Sequence, residues 1–172
     1  MIPDAVQTFY HAQYGIRWEG LLHALMQAPS RCLRLNGFSG CEVSGEEEQL
    51  PEMPHCIYPS NDFEPSLQPS GVMDYYRMDP ASVIPALALD VKEGDRVLDM
   101  CSAPGGKALI LAEALGDNGH LTTNEWSRAR KEKLRSVLKA YIPKTTFSNI
   151  RVTGHDASKW GLFEPDQYNR IL

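Results

Sequence analysis

Residues 97–116 read VLDMCSAPGGKALILAEALG. Val97 to Met100 is a short apolar run of strand type, the Gly105–Gly106 pair interrupts the chain, and the stretch from Lys107 is rich in Ala and Leu, which favour helix. A strand that runs into a glycine loop and then a helix is the opening of a βαβ unit. The alternation continues on the C-terminal side. HLTTNE (120–125) reads as a strand and SRARKEKLRSVLKAYI (127–142) as a helix stopped by Pro143. NIRVTGHD (149–156) reads as the next strand, ASKWGLF (157–163) as a short segment, and YNRIL (168–172) as the start of a further strand. Strands alternating with helices predict an α/β fold with a parallel sheet and right-handed crossovers.

On the N-terminal side, ASVIPALALDVKEGD (81–95) reads as a helix, with Ser82 an early cap, Pro85 in the first turn or so and Gly94 the turn out. Between residues 44 and 70 five prolines (51, 54, 59, 65 and 69) and the acidic run Glu46–Glu48 predict a long loop or linker. RCLRLNGFSGCEV (31–43) reads as a short strand and turn. Residues 6–28 place Phe9, Tyr10, Tyr14, Trp18, Leu21, Leu22 and Leu25 three and four apart, an amphipathic helix interrupted at Gly15 whose stripe is expected to pack on the main domain. The expected division is therefore 1–70, a helical extension with its proline-rich loop, and 71–172, the α/β part.

At 172 residues the chain has room for one core of ordinary size. Its apolar runs, such as VIPALAL, are too short to cross a bilayer, and MIPDAVQTFY has neither the basic start nor the apolar run of a secretory signal. No membrane partner is expected. The four cysteines, at 32, 41, 56 and 101, form no CxxC pair, and no zinc-ligand spacing appears, so they read as thiols of a reducing compartment. Net charge is −5, but it is divided unevenly: residues 1–100 carry 6 Lys/Arg against 15 Asp/Glu, residues 101–172 carry 11 against 7. The basic excess gathers in 127–144, where Glu132 is the one acid; this reads as a solvated helix face that permits an RNA partner without implying one.

The glycine loop narrows the cofactor. A P-loop fails twice, because Cys101 stands at the first glycine position and Ala108 where a hydroxyl would hold magnesium. CSAPGGK also lacks the G-x-G-x-x-G of a dinucleotide fold, which disfavours a dehydrogenase. S-adenosylmethionine needs an acid at the end of the second strand, since a carboxylate offers two acceptor oxygens to the ribose hydroxyls. Glu125 stands there, and Asp156, at the end of the third strand, is placed to accept from an adenine amino group. Either acid could also cap the following helix.

The stretch 75–115, with Asp99-Met100-Cys101-Ser102-Ala103-Pro104-Gly105-Gly106-Lys107 at its centre, resembles the Sun family of RNA cytosine-5 methyltransferases. The likeness continues through TTNEWSRARKEKLRSVLKAYIP (122–143) and VTGHDASKWG (152–161), and is strongest toward the branch acting on mitochondrial ribosomal and transfer RNA. It implies a Rossmann-like class I methyltransferase sheet, of which this chain supplies strands in the order 3-2-1-4. It implies that Cys101, Ser102, Ala103, Pro104, Gly105, Gly106 and Lys107 wrap the methionine part of S-adenosylmethionine. Glu125 would hold the ribose, where many members carry Asp, Arg130 would steady that acid, and Asp156 with Ala157 would flank the adenine. Ala108 departs from a common Thr or Ser, and Ala157 from a Gly in some relatives.

Methylation of cytosine carbon 5 requires a thiolate that adds at carbon 6. In the Sun family two cysteines, after the fourth and fifth strands, share this work. Cys101 belongs to the cofactor loop, and Cys32, Cys41 and Cys56 have no better claim, so no catalytic residue is assigned. The resemblance implies an RNA substrate, ribosomal or transfer, an accessory RNA-targeting protein, and a mitochondrial or otherwise cytoplasmic location. On this reading the chain is the cofactor-binding portion of a larger enzyme, inactive alone and exposing its fourth strand as an edge. The rival is a non-catalytic RNA- or protein-binding module on the same fold.

Overall fold

The computed structural model describes residues 3–27, 31–42, 53–58 and 63–172. Two compact units divide the chain, Met1–Ser30 and Arg31–Leu172. In the first, helices α1 (Asp4–Tyr14) and α2 (Arg17–Met26) are separated at Gly15, whose φ of 57° a side chain would resist. Tyr10, Tyr14 and Trp18 stack on one another, with Tyr10 and Trp18 centroids 5.1 Å apart, and Trp18 is buried.

The second unit is built on a parallel sheet. Strands β4 (Arg96–Asp99), β5 (His120–Asn124), β6 (Ile150–Thr153) and β7 (Arg170–Ile171) lie in the order β6-β5-β4-β7, all pairs parallel. This is the expected 3-2-1-4 arrangement. Val97 lies beside Leu121, which lies beside Ile150, and this face enters the main core with helices α4 (Gly106–Leu115) and α5 (Arg128–Tyr141). Leu98, Thr122, Arg151 and Ile171 point to the opposite face. Two short helices complete this part, α6 (Lys144–Phe147) and α7 (Trp160–Phe163), and Trp160 is buried. Among the described residues no helix is long and apolar enough to cross a membrane.

A second, antiparallel sheet contains the short strand expected within 31–43 and corrects the linker reading of 44–70, where Cys56–Ile57 is a strand. Strands β1 (Cys32–Leu35), β2 (Cys56–Ile57) and β3 (Tyr75–Met78) pair in the order β2-β1-β3. The boundary expected at residue 70 therefore falls at Ser30/Arg31, because β1 and β2 are hydrogen-bonded into one sheet with β3. Much of the acidic and proline-rich run, 43–52 and 59–62, lies outside the described residues. All four residues of β1 are buried, since both of its faces are covered. Cys32, Cys56, Tyr76 and Met78 join the main core, whereas Leu33, Leu35, Ile57 and Tyr75 form a cluster on the other side.

This sheet is fastened to α4 by a buried ion pair. Arg34 Nη1 and Nη2 donate to Glu113 Oε1 and Oε2 at 2.8 and 2.6 Å, and the Gly37 N–H donates to Oε1 at 3.1 Å. Asn36 Nδ2 donates to the carbonyls of Met73 and Tyr141 at 2.7 and 2.8 Å, tying the same sheet to the end of α5. Helix α4 is apolar almost all round because it is covered on both sides. Ahead of β4, a 3-10 turn (Pro80–Ser82) leads into α3 (Val83–Ala88). Asp79, not Ser82, caps it, accepting from the Ala81 N–H at 2.8 Å.

Candidate cofactor-binding site

The loop 101–107 leaves the carboxyl end of β4, beside the point where β5 and β7 run off to opposite sides, the usual ligand position in such sheets. Its backbone is held by its neighbours. The Ser102 N–H donates to the Asn124 carbonyl at 2.9 Å, and the Cys101 N–H to Asp99 Oδ1 at 3.3 Å. Gly105 has a φ of 124°, and a Cβ there would stand 3.0 Å from Val137 Cγ1 and 3.2 Å from Leu134 Cδ1. A Cβ on Gly106 would stand 2.8 Å from Tyr76 Cε1. The two glycines therefore let α4 start against α5 and β3, a packing reason for the absence of side chains there. Lys107 lies in the first turn of α4, and that N-terminus points its free N–H groups at the loop.

Glu125 follows β5 and is 4% exposed. Its Oε1 accepts the Ser127 N–H at 2.9 Å, and Oε2 lies 3.4 Å from Arg130 Nη1. Arg130 Nη2 in turn donates to the Ala103 carbonyl at 2.9 Å. One guanidinium thus joins the acid at the second strand end to the glycine loop. Ser127 is the cap of α5, and Arg130 occupies the position where a capping box carries an acid.

Asp156 follows β6 and serves as a cap. Its Oδ1 accepts from the Ser158 hydroxyl at 2.7 Å and the Ser158 N–H at 3.1 Å, and these hydrogen bonds hold its carboxyl below the usual range. Ala157 opens the 3-10 turn after it and, with Met100 and Trp160, lines a cleft of about 390 Å³. A larger cleft of about 480 Å³ includes Arg96, His120 and Ile150 at the opposite ends of the strands, away from the loop.

Two residues that sequence reasoning passed over organise the site. Buried Asn124 donates to the Met100 and His155 carbonyls at 3.2 and 3.0 Å and accepts the His155 N–H at 2.8 Å, so it ties the three strand ends together. Asp99 is 1% exposed; burial pushes its carboxyl above the usual range, against the pull of the Cys101 N–H and Lys107. Asp99 Oδ2 is buried without a hydrogen-bond partner, as is Ser102 Oγ in the same loop. The signal for Asp99 was its position as the last residue of the strand entering the loop. Nothing in the sequence singled out Asn124.

The cysteines divide by environment. Cys101 is exposed on the loop. Cys32 is buried beside Cys56 across the β1–β2 pair, and the hydrogen bond with Cys56 together with burial pushes its thiol far above the ordinary value. Cys32 is therefore a packing residue in its protonated form.

The family model of "16S rRNA methyltransferase RsmB/F" matches residues 86–172. The mouse 5-cytosine rRNA methyltransferase NSUN4 is 34% identical over 208 residues, covering 98% of this chain and 54% of that protein. The mouse mitochondrial tRNA (cytosine(34)-C(5))-methyltransferase is 31% identical over 132 residues, 77% of this chain and 34% of its own length. The chain thus spans about half the length of the first curated relative and less of the second. The crystal structure of NSun6 from Pyrococcus horikoshii, determined with SFG, superposes with a TM-score of 0.75 at 16% identity, covering 98% of this chain and 69% of that one. A family model that matches half the chain, over the strands and loops that carry the glycine motif, places this protein in the RsmB/F methyltransferase family, the Sun family its loop resembles.

Proposed function

We propose that the loop 101–107, Glu125, Arg130, Asp156 and Ala157 hold S-adenosylmethionine in an enzyme that methylates carbon 5 of a cytosine in ribosomal or transfer RNA. The observation that carries this reading is the Glu125–Arg130–Ala103 bridge, which fixes a buried carboxylate against the glycine loop. Glu125 accepts one hydrogen bond at Oε1 and a longer contact at Oε2, which leaves lone pairs for a vicinal diol. The unpartnered Asp99 Oδ2 and Ser102 Oγ supply buried polar atoms at the methionine end. S-adenosylmethionine, when bound, supplies the activated methyl group. The chain's own residues bind and orient: the α4 N-terminus and the loop N–H groups face carboxylate, Glu125 faces the ribose, and the free lone pairs of Asp156 face the adenine.

The RNA substrate is supported by the ribosomal and transfer RNA relatives, and a mitochondrial location by the name of the second. An accessory RNA-targeting protein belongs to the same proposal. The test is a calorimetric titration of the chain with S-adenosylmethionine beside Glu125→Ala and Gly106→Val. Saturable binding that both changes abolish is the expected result. A folded chain that takes no cofactor overturns the reading and favours a non-catalytic module on this fold.

A further inference from the structure

Helix α5 carries six cations, Arg128, Arg130, Lys131, Lys133, Arg135 and Lys139, and one acid, Glu132. Arg128, Lys131, Arg135 and Lys139 are spaced i, i+3, i+7 and i+11, which puts them on one face. Leu134, Val137 and Leu138 are buried on another. Arg135 is paired with Glu132 at 3.0 Å. Arg128, Lys131 and Lys139 have no ion-pair partner among the described residues.

A solvated helix face intersperses both signs and places acids in its first turn, where the macrodipole favours them. The first turn of α5 has no acid, and Arg128 and Arg130 stand there instead. The stripe also reaches past its own helix. The Lys131 ammonium lies over Gly154, where a Cβ would come within 2.1 Å of Nζ, so the missing side chain of Gly154 leaves it room at the carboxyl end of β6. From Arg128 to Lys139 the stripe runs about 16 Å along the axis. Unpaired cations in a line, on a chain whose net charge is −5, make a local field for an extended anion.

We propose that this face of α5 binds the phosphate backbone of RNA through Arg128, Lys131 and Lys139. The proposal rests on the reading of the chain as part of an RNA methyltransferase, which supplies a polyanion of this form, and it extends the RNA contact beyond the cofactor site. Cations of this kind hold and position the strand without reading its bases.

The test measures fluorescence anisotropy of a labelled 20-nucleotide oligouridylate with the full chain from 50 to 200 mM NaCl. It compares wild type, R128Q/K131Q/K139Q and the control R77Q/K92Q/K133Q, which removes equal charge off the stripe, Lys133 lying on another side of α5. The stripe variant is expected to bind at least tenfold more weakly at 50 mM and to lose about 2 from the slope of log K against log salt, at about 0.7 per phosphate on a single strand. The control is expected to stay within about threefold with its slope kept. Equal losses in the two variants, or wild-type binding that ignores salt, overturn the proposal. Displacement by polyglutamate of equal charge as readily as by RNA also overturns it, in favour of an acidic protein partner. A parallel titration with S-adenosylmethionine separates the two readings: none of the three stripe residues is in the cofactor site, so failed cofactor binding with an intact stripe effect sinks only the enzyme reading.

Discussion

Asp99 and Glu125 are both buried carboxylates at strand ends, and their surroundings treat them differently. Glu125 has a guanidinium and an N–H to face, whereas one oxygen of Asp99 has no partner. Burial raises the Asp99 pKa, so below the ordinary carboxylate value, about 3.9, the group is protonated in both folded and unfolded chains. As pH rises through that value the unfolded chain ionises first, and stability falls until the higher folded pKa is passed. Melting curves of wild type and Asp99→Asn are expected to show wild type losing ground to the variant as pH rises from about 3.5 toward neutrality. A difference independent of pH would refute this. Glu164 has the opposite sign. The Arg151 guanidinium, with the Tyr168 hydroxyl, lowers its pKa, so its contribution is present above the ordinary range and is lost as pH falls through the depressed value.

Helix α4 depends on what lies on each side of it. At its start, Gly105 combines a positive φ with close approach to Val137 and Leu134, so Gly105→Ala meets both strain and overpacking. Urea unfolding is expected to show a loss of about 1–3 kcal/mol, the order of cost of a strained backbone position. Near its end, Glu113 meets Arg34, with side chains 16% and 7% exposed. Glu113→Ala leaves that guanidinium buried and unpaired, which costs about 3–5 kcal/mol. Retention of full stability would mean that Arg34 finds water or another partner. The orphaned Arg34 Nε shows that the pair already satisfies the guanidinium incompletely.

At the scale of the molecule, the antiparallel sheet belongs with the parallel one. The Arg34–Glu113 and Asn36–Tyr141 links cross between them, and Cys32, Cys56 and Met78 share the main core. A chain beginning at Arg31 is therefore expected to melt cooperatively. One beginning at Gly71 keeps the α/β motif but loses β1 and β2, leaving β3 as an unpaired edge and Glu113 without Arg34. It is expected to melt broadly or precipitate. Calorimetry on the two fragments decides it, and equal cooperative transitions would restore the boundary at residue 70.

The α/β alternation was legible because each strand and helix after residue 95 carries its own period and its own punctuation at Gly94, Gly105–Gly106 and Pro143. Glu125 was legible as the acid that ends a strand-like run, whereas Arg130 was reached only through the family resemblance. Asp156 was seen as either ligand acid or cap, and its capping role is now visible in the Ser158 hydrogen bonds. What remained hidden depends on partners distant in the chain. A short strand within 31–43 was expected, but its partners β2 and β3, of two and four residues, have too few residues for a period, and the sheet exists because 32–35 can pair with both 56–57 and 75–78. The burial of Asp99, the convergence of strand ends on Asn124, and the packing that requires glycine at 105 and 106 arise from neighbours on β3, β5 and α5. Local pattern determines which segments are strand or helix and which residues reach the loop end. Only tertiary packing decides which polar atoms are satisfied there and which are left without a partner, because burial and hydrogen bonding depend on segments far apart in the chain.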